Sequence, residues 1–260
     1  MQPAREYSVL DLFSGIGGLS LGLHWAGMRT AAFCEADPFG QTILRRHWPG
    51  VPVFPDVRTL RAPMLPEQPD VVCGGFPCQD TSLAGRGAGL AGARSGLWSH
   101  MERLVAECRP RWMVAENVPG LRCRGADRVL DGRATAGYAA WPFVVGAAHA
   151  GAPHRRARVW IIGRRLGPGG VAADAAPAGL ALGVCGAAHE APGLPVERRG
   201  GWPPPPPVRR VGDGVPAGLD QHGDRVARVK ALGNAVVPAA AAAIGRAIRH
   251  ADGLHGLDRS

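Results

Sequence analysis

Residues 7–18 read Tyr7-Ser8-Val9-Leu10-Asp11-Leu12-Phe13-Ser14-Gly15-Ile16-Gly17-Gly18. The stretch from Tyr7 to Phe13 is mostly apolar and bounded by glycine, the pattern of a short buried strand. A glycine turn follows, and then Leu19, Leu21, Leu23 and Trp25 begin a helical pattern. Strand, glycine turn and helix make the first βα unit of a nucleotide-type α/β fold, in which the missing side chains let the backbone approach a ligand closely. A glycine turn after a strand also occurs in α/β proteins that bind nothing there. The reading therefore rests on what the neighbouring stretches supply.

Downstream, Thr30–Cys34 reads as a second strand closed by Glu35, which lies 20 residues after Gly15. An acid at that distance is placed to accept hydrogen bonds from ribose hydroxyls; the alternative is a solvated carboxylate before a helix. The helix spans Pro38–His47 and is stopped by Pro49-Gly50. Val51–Phe54 reads as a third strand, with Asp56 just beyond its end.

Asp70-Val71-Val72-Cys73 is another short apolar strand, and Gly74-Gly75-Phe76-Pro77-Cys78-Gln79 follows it. The glycine pair and the proline are expected to break the strand sharply. Cys78 then stands on a loop at a strand end, where a ligand can reach it. The glycine-rich run from Thr81 to Gly96 has the composition of a loop able to close over a substrate. A free cysteine is more often a small core residue, but this context favours a nucleophile. Ser95–Cys108 is a predicted helix and Arg111–Ala115 a predicted strand, followed by Glu116-Asn117-Val118-Pro119-Gly120. In a parallel sheet, Cys78 and Glu116 would share the rim that carries the glycine turn; taken alone, Glu116 reads equally as a helix-capping acid. Ala126–Tyr138 is a predicted helix and Trp141–Ala148 a predicted strand. Val159–Ile162 is a buried strand entered by an arginine cluster, with Arg156 and Arg158 on one side by alternation. A solvated charge run is the ordinary alternative.

With 260 residues, 46% of them hydrophobic, the chain can bury a full α/β core. No apolar run in the sequence approaches the ~18 residues of a membrane span, and Arg5, Glu6 and Asp11 interrupt any signal-peptide pattern. A cytoplasmic protein without membrane contact is expected. The net charge of +9 points to a polyanionic partner. Lys230 is the only lysine, so coding bias explains the choice of arginine but not the excess of base over acid. Six cysteines without paired spacing make no disulfide framework, and the lack of any CxxC pair leads us to expect no metal. Between Arg164 and Asp224 the pattern fades into Gly, Ala and Pro, including the run Pro203–Pro207 with arginine pairs on either side. Order returns at Arg225–Ala231, at Leu232-Gly233-Asn234-Ala235-Val236-Val237-Pro238, and in an alanine-rich helix to about Arg249, with Pro238 suited to its first turn.

Taken in order, these pieces resemble the cytosine-5 DNA methyltransferases of bacterial and phage modification systems. The resemblance is carried by Asp11–Gly18, Glu35, Asp56, Pro77-Cys78-Gln79, Glu116-Asn117-Val118, His154–Arg158 and Gly233–Pro238. It implies a doubly wound, mostly parallel Rossmann-like methyltransferase sheet. Residues 1–163 and 225–260 would form the catalytic domain, and 164–224 a small, poorly patterned target-recognition region. It also implies S-adenosyl-L-methionine as cofactor, double-stranded DNA as substrate, and a monomer working beside a separate restriction endonuclease.

By the same resemblance, Phe13 would pack on the adenine, with Ser14, Gly15, Gly17 and Gly18 under the methionine part. Glu35 would hold the ribose, Asp56 the adenine amino group, and Asn234 and Val236 would complete the pocket. Cys78 would add to carbon 6 of cytosine, Glu116 would carry a proton at N3, and Arg156 and Arg158 would complete the catalytic group, Arg158 at O2. Phe76, Pro77, Gln79, Ser82 and Asn117 would surround the base. The family usually has Gln where this chain has His154, some relatives place an aromatic residue at Ala36, and the recognition interval of 61 residues is short. A transfer-RNA methyltransferase of the same fold and a non-catalytic DNA-binding relative are the alternatives. Pro77-Cys78-Gln79 favours DNA over the first, and the intact Cys78, Glu116 and Asn234 speak against the second. A nicotinamide dehydrogenase would explain the glycine turn and Glu35 but not the cysteine loop.

Overall fold

The glycine turn does follow a strand, and that strand lies at the middle of a seven-stranded sheet. The computed structural model describes residues 6–76, 96–119, 137–150, 156–167 and 225–257. The strands are β1 (Tyr7–Leu12), β2 (Met28–Cys34), β3 (Val53–Phe54), β4 (Val71–Gly75), β5 (Trp112–Asn117), β6 (Tyr138–Gly146) and β7 (Ala157–Arg165). The helices are α1 (Gly18–Trp25), α2 (Pro38–His47), α3 (Leu97–Cys108), α4 (Arg225–Asn234) and α5 (Pro238–Leu257), with 3-10 turns at Ala62–Met64 and Ala147–Ala150.

The sheet order is β3-β2-β1-β4-β5-β7-β6. The first five strands are parallel, and β7 runs antiparallel to both β5 and β6. The chain leaves β1 towards β2 and β3, then crosses back to β4 and β5. The strand order therefore reverses between β1 and β4, where open α/β sheets bind their ligands.

Alternation along β1 and β4 divides the core between two faces. Val9, Val71 and Cys73 face a cluster with Leu19, Leu23, Trp112 and the α5 alanines. Leu10, Leu12 and Val72 face a second cluster with Met101, Leu104 and Val105 of α3. The helix α1 sits unusually close to α5. A Cβ at Gly22 would lie 2.2 Å from the Pro238 carbonyl oxygen, and one at Gly245 would lie 2.7 Å from the Ala26 methyl. Lys230–Asp252 has the length and composition of a membrane span, which the sequence reading did not anticipate. Its Ala240, Ala241, Ile244, Ala247, Ile248 and Ala251 nevertheless belong to the buried cluster against α1.

Several expected boundaries move. Strand β4 runs through the glycine pair instead of breaking there. A Cβ at Gly74 would meet the Leu12 carbonyl oxygen at 2.7 Å, and one at Gly75 would meet Glu116 Oε2 at 2.9 Å. These glycines serve close packing, not chain breaking. Strand β5 includes Glu116 and Asn117, so both hydrogen-bond into the sheet rather than following it. Strand β3 is only two residues long. Tyr138 begins β6 instead of ending a helix, and β6 stops at Gly146. Helix α5 continues past Arg249 to Leu257. The expected helix over 126–137 lies outside the described residues except for its end at Gly137. The Thr81–Gly96 loop lies outside them up to residue 95, and the 164–224 region from residue 168 onward.

Candidate active site

The carboxyl ends of β1, β2, β4 and β5 surround a cavity of about 400 Å³. Phe13 leaves β1 with φ 55, a left-handed conformation that costs a bulky residue energy and tends to persist where a site requires it. Ser14 turns the chain back by donating its hydroxyl to the Asp11 carbonyl oxygen at 2.7 Å. Gly17 caps α1 at φ 82, and a Cβ there would meet the Trp48 ring at 2.6 Å. Gly18 lies against the Val236 carbonyl oxygen. Phe13, Ser14 and Gly15 line the cavity, whereas Gly17 and Gly18 are not among its lining residues. The last two glycines hold the turn against its neighbours.

Glu35 reaches under this turn. Its Oε2 accepts from the Gly15 amide at 2.6 Å and its Oε1 from the Asp37 amide at 2.7 Å. Each oxygen keeps a further lone pair, so the carboxylate both fixes the turn and faces the cavity. Asp56 stands elsewhere, on an adjoining cavity of about 620 Å³ that shares Phe13, Ala36 and Leu97 with the first. Its carboxylate is gripped by Arg58, with Nε at 2.9 and 3.0 Å from the two oxygens. That bond, the Arg58 amide and the cation's charge hold the acid below its ordinary titration range.

Asp11 has no role assigned from the sequence, yet it lines the same cavity. It is 1% exposed. Oδ2 accepts from Ser20 Oγ at 2.7 Å, and Oδ1 has no hydrogen-bond partner among the described residues. Burial pushes this carboxyl up to about 7, against the pull of the Ser20 bond and the Cys73 thiol, its neighbour in register. The signal for it was an acid at the end of an apolar strand. The same cavity is lined by Asp37 and Lys230, which pair at 3.2 Å.

At the other end of the cavity Glu116 faces Gly75 in register. It is buried, and its Oε1 lies 2.9 Å from Arg158 Nε. Burial raises its pKa, with the charges of Arg158 and then Arg156 opposing the rise. A carboxyl in this setting keeps its proton to higher pH than one in water. Asn117 is 3% exposed. Its Nδ2 donates to the Phe76 carbonyl oxygen at 3.4 Å, and its Oδ1 accepts from the Val118 amide at 2.7 Å. It therefore ties the exit of β4 to the exit of β5. The Phe76 ring packs on Trp98, centroids 5.0 Å apart, so its place is largely in the core. Arg156 places its hydrogen bonds elsewhere; its Nη2 donates to the carbonyl oxygens of Gly233 at 2.7 Å and Ala235 at 2.8 Å. Asn234 and Val236 line the cavity beside them. Pro77, Cys78, Gln79, Ser82 and His154 lie outside the described residues, immediately beyond Phe76 or just before Arg156.

Residues 7–169 match the family described as C-5 cytosine-specific DNA methylase. The chain belongs to this family. Among members, it is 39% identical over 163 residues to the type II methyltransferase M2.BsuMI of Bacillus subtilis, an alignment covering 59% of this chain and 41% of that one. It is 36% identical over 182 residues to M.AquIA of Picosynechococcus, covering 62% of this chain and 73% of the relative. A solved structure of a prophage-encoded candidate DNA modification methyltransferase from Escherichia coli superposes with a TM-score of 0.54 at 31% identity, covering 62% of this chain and 47% of that one. The chain thus spans less than half of M2.BsuMI and about three quarters of M.AquIA. The family match ends at residue 169, so α4 and α5 lie beyond it.

Proposed function

We propose that the protein transfers a methyl group from S-adenosyl-L-methionine to carbon 5 of cytosine in a short site of double-stranded DNA, as the modification enzyme of a restriction system. The observation that carries this reading is the buried Glu116, held by Arg158 at the sheet rim and in register with Gly75, the residue that precedes Cys78 by three in the sequence. The family's relatives are named as type II methyltransferases, and methyltransferases of this kind generally use S-adenosylmethionine.

The cavity suits that group. It carries the Phe13 ring, two carboxylates with free lone pairs in Glu35 and Asp11, and a backbone turn open to a ligand. Phe13 would take the adenine and Glu35 the ribose, with Ser14 and Gly15 under the methionine part and Asn234 and Val236 closing the wall. Asp56 would meet the adenine amino group from the adjoining cavity. When bound, the cofactor supplies an electrophilic methyl group.

The protein's part is to make carbon 5 reactive. Sγ of Cys78 would bond to carbon 6, and the displaced electron pair would be received at N3 and O2 of the base. The proton held by Glu116 would neutralise N3, and the Arg158 guanidinium would stabilise charge at O2. Loss of the carbon 5 proton to a base, followed by departure of the cysteine, restores the ring. The cytosine must leave the duplex for this chemistry, at a cost of a few kcal/mol; the 77–96 segment, Ser82 included, would border the flipped base. The arginine pairs at 164–165, 198–199 and 209–210 suit phosphates or guanine edges, and on that ground target recognition would fall to 164–224.

Covalent trapping tests the reading. Duplex DNA with 5-fluorocytosine at the methylated position should form a stable adduct with the native protein and cofactor, and none with Cys78→Ala. Bisulfite sequencing of DNA from cells expressing the native protein should show protected cytosines in one short sequence context. Unprotected DNA together with no adduct at any cytosine context would refute the assignment.

A further inference from the structure

We propose that Arg156 is a positioning residue that ties the target-base end of the site to the cofactor end, a role that rests on the cofactor reading given above. Its hydrogen bonds do not go to the acid. One nitrogen, Nη2, serves the carbonyl oxygens of Gly233 and Ala235, at 2.7 and 2.8 Å. These two carbonyls flank Asn234, the last residue of α4. The closing carbonyls of a helix have no partner within it and need donors from elsewhere, and here the donor comes from the sheet.

Three features make this contact a coupling and not a simple cap. First, Arg156 is two residues from Arg158, which holds Glu116 at 2.9 Å. One strand entry therefore grips both the acid and the Asn234 segment. Second, Arg156, Arg158, Glu116, Val236 and Val237 border a cleft of only about 10 Å³, too tight for rearrangement without moving its walls. Third, the guanidinium is held against resistance. Burial and the charge of Arg158 both lower its pKa, and its backbone sits at φ 25, outside the conformations that non-glycine residues prefer. Among the described residues α4 is also tied by Lys230 to Asp37, whose side chains are 65% and 42% exposed; such surface pairs contribute little. Val236 also packs against Gly18 and the buried core; what Arg156 holds is the pair of carbonyls on either side of Asn234.

The test uses the full chain, with S-adenosylhomocysteine as the probe. Calorimetry should show that Arg156→Ala weakens its binding about 10-fold or more, the scale of a lost charge-assisted hydrogen bond. In steady state with duplex DNA, the defect should appear in KM for the methyl donor more than in kcat. Arg156→Lys should recover part of the affinity, since an ammonium can still reach a carbonyl. Affinity of Arg156→Ala within about two-fold of native, or a fall in kcat with KM unchanged, overturns the proposal and returns Arg156 to the base. If Arg156→Ala does not fold, Arg156→Lys decides: a KM indistinguishable from native overturns it, and a raised KM at unchanged melting temperature supports it. A native protein that binds no S-adenosylhomocysteine defeats the cofactor reading, and this proposal with it.

Discussion

Glu116 and Arg158 form an ion pair at 2.9 Å in which the acid is the more deeply buried partner, with side chains 11% and 22% exposed. Burial outweighs the arginine, so the carboxyl titrates above its ordinary value. It can therefore hold a proton at a pH where a solvated glutamate has lost it, as the proposed role at N3 requires. Replacing it with Gln should lower kcat for methyl transfer by about 10²-fold or more, the usual contribution of a positioned acid. The native rate should fall on the alkaline side as the proton is lost, and that limb should be missing from the Glu116→Gln profile. Radiolabelled methyl transfer across pH measures both.

Removing the cation has the opposite electrostatic consequence. Arg158→Met deletes the largest influence that holds the Glu116 pKa down, so the acid's pKa rises further. A raised acid favours folding in its protonated form, and that benefit is lost as pH climbs. The destabilisation by Arg158→Met should thus be small near pH 5 and reach about 3 kcal/mol near pH 8, the lower end for breaking a buried pair. Urea melts at the two pH values check the sign. An equal loss at both would show that Glu116 does not change charge.

Asp11 makes a parallel prediction within the cavity at the sheet rim. Its pKa rises from 3.8 to about 7 on folding, so the folded state retains a proton that the unfolded chain releases. Stability should decline between about pH 4 and pH 7, by about 4 kcal/mol in total at 1.36 kcal/mol per unit. Asp11→Asn removes this term. The variant should gain on the native protein steadily across that interval, as read from denaturation midpoints.

How much of this site could be read in the sequence depends on what kind of constraint each residue obeys. The place of Glu35 beside the glycine turn was legible because an acid closes the second strand 20 residues after Gly15, and Pro38–His47 because Asp37-Pro38 and Pro49-Gly50 punctuate the helix. The purposes of Gly74, Gly75 and Gly22 were not legible. Their constraint is the approach of atoms distant in sequence, namely Leu12, Glu116 and Pro238. Likewise Arg156 and Arg158 looked equivalent by alternation. What separates them is the return of α4, 77 residues later, to the entry of β7. The extension of β5 through Glu116 and Asn117 was missed because polar residues at a strand end resemble a loop until an antiparallel neighbour pairs with them.

Glu35→Ala should weaken S-adenosylhomocysteine binding by about 1–3 kcal/mol, the range for bonds to a charged group. It also removes the acceptor for the Gly15 and Asp37 amides, so the melting temperature should fall too. Glu35→Gln keeps an oxygen for one of those amides and should lose affinity with less loss of stability. Calorimetry and thermal melts on both variants separate the two roles.

Gly22→Ala places a methyl 2.2 Å from the Pro238 carbonyl oxygen, and both are backbone-bound. The overpacking should cost about 1–3 kcal/mol. Because Pro238 is the first residue of α5, the strain should pass to Val236 and lower cofactor affinity as well. A variant as stable as native would mean that α1 and α5 can separate freely.

Tyr7 Oη donates to Asp252 Oδ2, Trp112 Nε1 donates to the same oxygen at 3.1 Å, and Arg111 pairs with it. One carboxylate of α5 thus meets the start of β1. Helix α5 lies beside β1 although the two are far apart in the sequence. A short linker joining the end of α5 to residue 6, with the chain opened at Gly50, would place α4 and α5 ahead of β1 without moving either, since exposed turns accept new termini most readily.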